Sequence, residues 1–389
     1  MMQLIRAFLG AGYRLTFASA AQKTAYSADL EAIGVSEKQI RMNHSSFDEF
    51  LVADRPDIVV FDRFMVEEQY GWRVASRLPE ALRILDTEDL HSLRRSREEA
   101  VGKGVAFSVN SWKQSDLTKR EMASIWRSDL SLIISEFEFR VLKSEFQIKD
   151  SLLHYLPFME DPDPDLEKLA DIPFDQRNNF IWIGNGKHSP NADALIWLKQ
   201  AIWPEIRHRL PSAEIHIYGA YFSDTLKALH EPKVGFMIKG WAEDAAEVLS
   251  RARVSLIPLR FGAGLKGKLV EAIKTGTPFV TTTIGAEGLS TDQLPGNCIT
   301  DHVADFAQNA VKLYNDQTAW KEAQRGGKLV MESLQEENHF EKLLQRIDTL
   351  GQQLQEERTY NFIGAMLWHH SMNSTRYFTK WIEAKNSKS

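Results

Sequence analysis

Cysteine is almost absent: Cys298 is the single one among 389 residues. That excludes an internal disulfide and any cysteine-built zinc site, and it suits a reducing compartment. No apolar run approaches the roughly 18 residues a membrane span needs, and no cleavable-signal pattern opens the chain. The cytoplasm is therefore the expected location, with peripheral membrane contact left open. Basic residues are not in excess: 47 Lys and Arg stand against 53 Asp and Glu, for a net charge of −6. Nothing here recommends a nucleic-acid partner. Asp-x-Asp, a common metal-holding pattern, occurs at no expected strand end. Its overlapping instances, Asp161-Pro162-Asp163 and Asp163-Pro164-Asp165, fall in a proline-rich linker, so no metal is expected.

What is present is a soluble, globular composition, 43% hydrophobic and 26% charged. Such a length is natural for two domains. The chain is organised around residues 254–289 (VSLIPLRFGAGLKGKLVEAIKTGTPFVTTTIGAEGL), which read as strand, glycine loop, helix and strand. Gly262, Gly264 and Gly267 bracket the start of the helix, and Gly276 with Pro278 ends it. A helix N-terminus carries partial positive charge and prefers a carboxylate in its first turn. Here that turn holds Lys266 and Lys268 and no carboxylate. Lysines make physical sense there if an external anion is cradled by backbone N–H groups that the glycines leave bare. The plainer alternative is two solvated lysines on a glycine-rich turn.

The remainder alternates strand and helix. Residues 1–11 have helical spacing and 13–18 that of a strand, so the chain opens on a helix where α/β domains usually open on a strand and glycine turn. The first strand of the N-terminal domain is accordingly expected to be missing. Helices are expected over 25–33 and 45–53, strands over 58–61 and 82–85. The strand 82–85 runs into Asp86, Glu88, Asp89 and His91, at the carboxyl end where open α/β sheets place ligands. These four are candidates to orient a substrate or handle a proton, or else they merely cap the helix carrying Arg94, Arg95 and Arg97. Further expected elements are helices over 122–127 and 136–146 and strands over 130–134 and 153–156.

After the linker come strands over 180–183, 214–218 and 236–239, helices over 191–209 and 244–251, and then the organising stretch with its second strand at 279–282. The strands meet Gly184, Asn185 and Gly186, then Gly219, then Gly240 and Trp241. Glycine at strand ends lets a ligand approach the backbone. The chain from Ala304 is helical. His369 and His370 lack a third neighbouring ligand and are read as structural.

The motifs FIWIGNGKHSPNADAL, LPSAEIHIYG, IKGWAED and IPLRFGAGLKGKLVEAIKTGTPFVTTTIGAEGL resemble the nucleotide-sugar-binding domain of retaining GT-B glycosyltransferases of family four, over roughly residues 178–330. GYRLTFAS, PDIVVFDRF and ILDTEDLHSLRRSR resemble the partner domain more loosely. The resemblance implies an α/β fold of two doubly wound, Rossmann-like domains facing across a cleft. These would be an acceptor-side domain at 1–157, a linker at 158–177, a donor domain at 178–350 and a helix at 351–389 packing back on the first domain. It further implies transfer of a sugar, hexosyl or other, from a nucleotide sugar to a hydroxyl acceptor such as a glycan, lipid or small molecule. The reaction would be retaining and metal-independent, the nucleotide sugar serving as co-substrate with no further cofactor.

By the same resemblance the donor site is Gly184, Asn185, Lys187, Gly240, Trp241, Gly262, Ala263, Gly264, Leu265, Lys266, Lys268 and Glu271. Glu271 would bind the ribose hydroxyls; its alternative is an ion pair with Lys268 or Lys274 at helical spacing. Three departures stand out: Ala263 where the family often has a glutamate for the donor sugar, and Asn185 and Asn191 where it often has Arg and Lys. Lys187 and Lys266 could restore that positive charge. A binding or scaffold protein that has lost catalysis, or a nucleotide-sugar epimerase of the same fold, are the alternative functions.

Overall fold

The computed structural model describes the chain except residues 25–26, 159–163, 336–337 and 387–389. Among the described residues there are eleven strands: β1 Thr16–Ser19, β2 Ser36–Gln39, β3 Ile58–Asp62, β4 Leu82–Asp86, β5 Leu130–Ile133, β6 Leu153–Tyr155, β7 Asn178–Ile183, β8 Ile215–Tyr218, β9 Phe236–Gly240, β10 Ala252–Ile257 and β11 Phe279–Thr281. Every pairing between them is parallel. They form three sheets, ordered β1-β2, β3-β4-β5-β6 and β11-β10-β7-β8-β9. Parallel strands need crossovers, and helices supply them here. β4 and β5 bury nearly every residue, as strands covered on both faces should.

The chain divides into two compact units. The first contains residues 1–90, 113–160 and 338–389, and the second residues 91–112 and 161–337. The helix His339–Tyr360 explains why the chain rejoins the first unit at residue 338. It sets Leu343, Ile347, Leu350 and Leu354 on one face, buried against Leu4, Phe8, Leu82, Ile84, Leu130 and Leu132. Each such side chain contributes about 1.5–3 kcal/mol of burial. The expected boundary at 350 falls inside this stripe, because apolar spacing runs straight through it.

Two expectations need correction. In the described part of 25–33 there is only a 3₁₀ turn, Glu31–Ile33, ended by Gly34 at φ 86°. Residues 25 and 26 lie outside the described residues. After Val35, the residues Ser36–Gln39 form β2, whose polar, mostly exposed side chains carry no hydrophobic period. The linker region contains the helix Pro164–Ala170 and a 3₁₀ turn at Phe174–Gln176, while Asp161-Pro162-Asp163 lies outside the described residues. The expected helix over 191–209 is interrupted by a π turn, Leu198–Ile202, between Ser189–Trp197 and Trp203–Arg209. Pro204 supplies the reason, since its ring clashes with the carbonyl four residues earlier and it has no N–H to donate.

Arg177 anchors the start of the second unit. Fully buried, it donates to the carbonyls of Ile172 (2.8 Å), Ala170 (3.1 Å) and Thr275 (2.9 Å) and to Thr277 Oγ1 (2.9 Å). Burial pushes its pKa down to about 10.

Candidate functional site in the second unit

The carboxyl ends of β7, β8, β9 and β10 carry the glycine-containing turns. After β7, Asn185 Oδ1 accepts from the Lys187 amide (2.9 Å), an Asx turn that reverses the chain. The Gly186 amide donates to the Ala220 carbonyl (2.9 Å), joining this turn to the one after β8. Glycine is required at 219: a Cβ there would stand 1.9 Å from the Gly184 carbonyl oxygen. Lys187 lies over the Tyr221 ring (4.3 Å). After β9, Gly240 takes φ 82°, and Trp241 stands 59% exposed.

After β10 the loop 259–266 is buried over most of its length, including Gly262, Ala263, Gly264, Leu265 and Lys266. Gly264 adopts φ 63°. The loop feeds the helix Gly267–Lys274, with Lys266 in the N-cap position, no side-chain cap and no acidic residue in the first turn. The first amides of a helix have no acceptor within it, so this end presents N–H donors under positive potential. Lys266 is folded back, its Nζ donating to the Gly264 carbonyl (2.7 Å). An incoming anion would share that ammonium with the loop.

Lys268 donates to Asn191 Oδ1 and stands 5.2 Å from the Trp182 ring. Burial pushes its pKa down to about 8, with Glu271 opposing. Asn191 in turn donates through Nδ2 to the Asn185 carbonyl (3.1 Å). One asparagine thus joins the turn after β7 to the helix after β10. Glu271 is solvent-accessible, yet desolvation raises its carboxyl pKa against the pull of Lys268 and Lys274.

Sequence reasoning missed two supports of the loop. Arg97, in the helix His91–Lys103, donates to the Gly262 carbonyl (2.8 Å) and makes two 2.7 Å bonds to Glu287. Arg260 in the loop pairs with Asp193 in the helix Ser189–Trp197. Arg97 was visible only as one of three arginines on a helix. Asn191 was visible only as a departure from a family lysine.

The remaining candidates sit apart in the chain. Asp86 and Asp62 are partners in register at the carboxyl ends of β4 and β3, in the first unit. Glu88, at φ 59°, donates its amide to Asp86 Oδ1 (3.3 Å), and the Asp89 amide donates to the Thr87 carbonyl (2.7 Å). Burial, reinforced by Glu88 and Asp62, raises Asp86 to about 6. His91 opens the helix His91–Lys103, which is grouped with the second unit.

Two parallel sheets of four and five strands, with helices between their strands, are the elements of the GT-B fold. Solved structures agree. HepE of Anabaena, in complex with UDP, is similar at 12% identity and a TM-score of 0.63, over 90% of this chain and 96% of that one. A glycosyltransferase of Rickettsia africae is similar at 12% identity and 0.58, over 88% and 92%. TarM of S. aureus, in complex with fondaparinux, alpha-GlcNAc-glycerol and UDP, is similar at 13% identity and 0.57, but this chain spans only 58% of its length. At such identities the similarity establishes the fold. Residues 177–316 match the family model described as Glycosyl transferases group 1. No curated protein matches it. Among the described residues no helix is long and apolar enough to cross a membrane.

Proposed function

We propose that this chain transfers a sugar, hexosyl or other, from a nucleotide-sugar donor to a hydroxyl acceptor. The observation that carries the proposal is the helix Gly267–Lys274: an uncapped N-terminus, no first-turn carboxylate, and Lys266 and Lys268 beside a glycine loop. The family domain over 177–316 supports it, as do the UDP complexes of HepE and TarM. In this reading the helix amides and the two lysines receive the donor diphosphate. As the bond from the anomeric carbon to the diphosphate oxygen breaks, charge accumulates on the leaving group where these fixed dipoles already point. Glu271 accepts from the ribose hydroxyls. Gly184, Asn185, Lys187, Gly240 and Trp241 border the same face. Asp86, Glu88, Asp89 and His91 are proposed for the sugar and acceptor side.

A second reading, donor binding without transfer, is favoured by one observation. Ala263 has no polar group to offer where the resemblance implies a glutamate for the donor sugar. Calorimetry with UDP, followed by an assay for UDP release from UDP-sugars with and without hydroxyl acceptors, separates the two. UDP binding with acceptor-dependent release is expected. Binding without release gives the second reading, and absence of nucleoside-diphosphate binding with any base overturns both.

A further inference from the structure

The C-terminal helix Phe362–Asn386 has 25 residues, about 37 Å at 1.5 Å per residue. One side of it is fixed on the first unit. Gly364 lies so close that a Cβ would stand 2.3 Å from the Trp126 carbonyl oxygen. Trp368 Nε1 donates to the Arg127 carbonyl (2.9 Å), and Thr379 is buried. The opposite side is apolar and uncovered. At about 100° per residue, Ile363, Met366, His370, Tyr377 and Trp381 project within about 60° of one another. Tyr377 and Trp381 are 69% and 59% exposed, and Phe378 beside them is 62%.

Charge on this helix is one-sided. Its exposed charged side chains among the described residues are Arg376, Lys380 and Lys385. Around the helix, Arg376 and Lys380 flank one border of the aromatic stripe and Lys385 the other. Its one carboxylate, Glu383, is turned inward to the buried Arg73 (3.7 Å). In a chain of net charge −6, this helix thus presents three exposed cations and no exposed carboxylate among its described residues. Aromatic rings between basic flanks are the composition that lies in a lipid headgroup layer, rings at the acyl boundary and cations toward anionic phosphates. A second copy of the chain would instead set these cations against like charge in any isologous contact.

We propose that this face of the helix Phe362–Asn386 docks on an anionic lipid surface, the helix lying in the plane of the interface. This surface shares no residue with the donor loop, and its docking is independent of the proposed transfer reaction.

The test is co-sedimentation of the full chain with phosphatidylcholine vesicles containing or lacking phosphatidylglycerol. Binding is expected only with the anionic lipid and should fall with added salt. Replacing Arg376, Lys380 and Lys385 by Gln should weaken partitioning about fivefold per charge, the equivalent of about 1 kcal/mol each. The triple change Tyr377→Ser, Phe378→Ser, Trp381→Ser should abolish it with an unchanged circular dichroism spectrum. Fluorescence quenching of the unmodified chain by lipid brominated at the acyl boundary gives a readout that needs no variant. Failure to sediment with anionic vesicles overturns the proposal. So does full binding by the serine variant, or a concentration-dependent dimer that the serine changes dissolve.

Discussion

Lys268 donates a hydrogen bond to the side-chain oxygen of Asn191, and this contact ties the helix after β10 to the helix after β7. Asn191 in turn donates through Nδ2 to the Asn185 carbonyl, so the same side chain also holds the turn after β7.

That lysine should give the site a pH dependence. Burial holds its pKa near 8 against an ordinary 10.5. A lysine lowered in this way sheds its proton in the folded state first. Its burial cost is present in full below about 8 and is relieved as pH rises from there to 10.5, so this group makes stability rise across that window. Diphosphate binding runs the other way, because the ammonium charge is lost. Calorimetric affinity for UDP is expected to fall through about pH 8, and the fall should flatten in Lys268→Met. A wild-type profile parallel to that of the variant would remove Lys268 from the site.

Lys266 and Glu271 should separate by the part of the nucleotide they touch. Lys266→Ala is expected to weaken nucleoside-diphosphate binding by roughly 1.5–3 kcal/mol, the scale of a charged hydrogen bond. The low end is favoured, since the ammonium already has the Gly264 carbonyl as partner. Glu271→Gln should weaken plain nucleosides too. Calorimetric titrations with UDP and uridine make the distinction, and unchanged affinity in both variants leaves only two lysines on a glycine turn.

Much of this was legible in the sequence, and the failures have physical causes. The strands of the larger sheets read clearly because parallel strands buried on both faces are apolar runs, as Leu130–Ile133 is. The helix after β10 read clearly because glycines and missing first-turn carboxylates are local signals. β2 was illegible because Ser36–Gln39 buries almost nothing. Arg97 was illegible for a different reason. Its partners Gly262 and Glu287 lie 165 and 190 positions away, and no local pattern encodes such a contact. Nor could spacing reveal that Lys266 folds back on its own loop.

Arg97 and Glu287 should behave as a coupled, buried pair. Their side chains are 7% and 11% exposed. Arg97→Met leaves a buried carboxylate and the Gly262 carbonyl without their donor, at a cost of about 3–5 kcal/mol. Adding Glu287→Leu should recover part of that loss, because two apolar groups are cheaper than one stranded charge. Urea denaturation of both single variants and the double variant supplies the cycle. Additive losses would mean that the two side chains act separately.

Asp86 carries the last prediction. Burial, with Glu88 and Asp62 close by, raises its carboxyl from 3.8 to about 6. The folded state therefore holds this proton more tightly than the unfolded one. Below about 4 the shift costs nothing, and as pH climbs from 3.8 to about 6 the group withdraws stability, the opposite of a salt-bridged aspartate. Asp86→Asn removes the titration. Denaturation midpoints of wild type and variant should thus diverge across that interval, the variant gaining as pH rises. Because a carboxyl poised near 6 is also suited to proton handling, the pH profile of kcat/KM decides its role. If Asp86 touches the reacting groups, its acid limb disappears in Asp86→Asn along with most of the rate. If the limb survives and only the midpoints move, Asp86 is a member of a crowded strand end and the acceptor proton goes elsewhere.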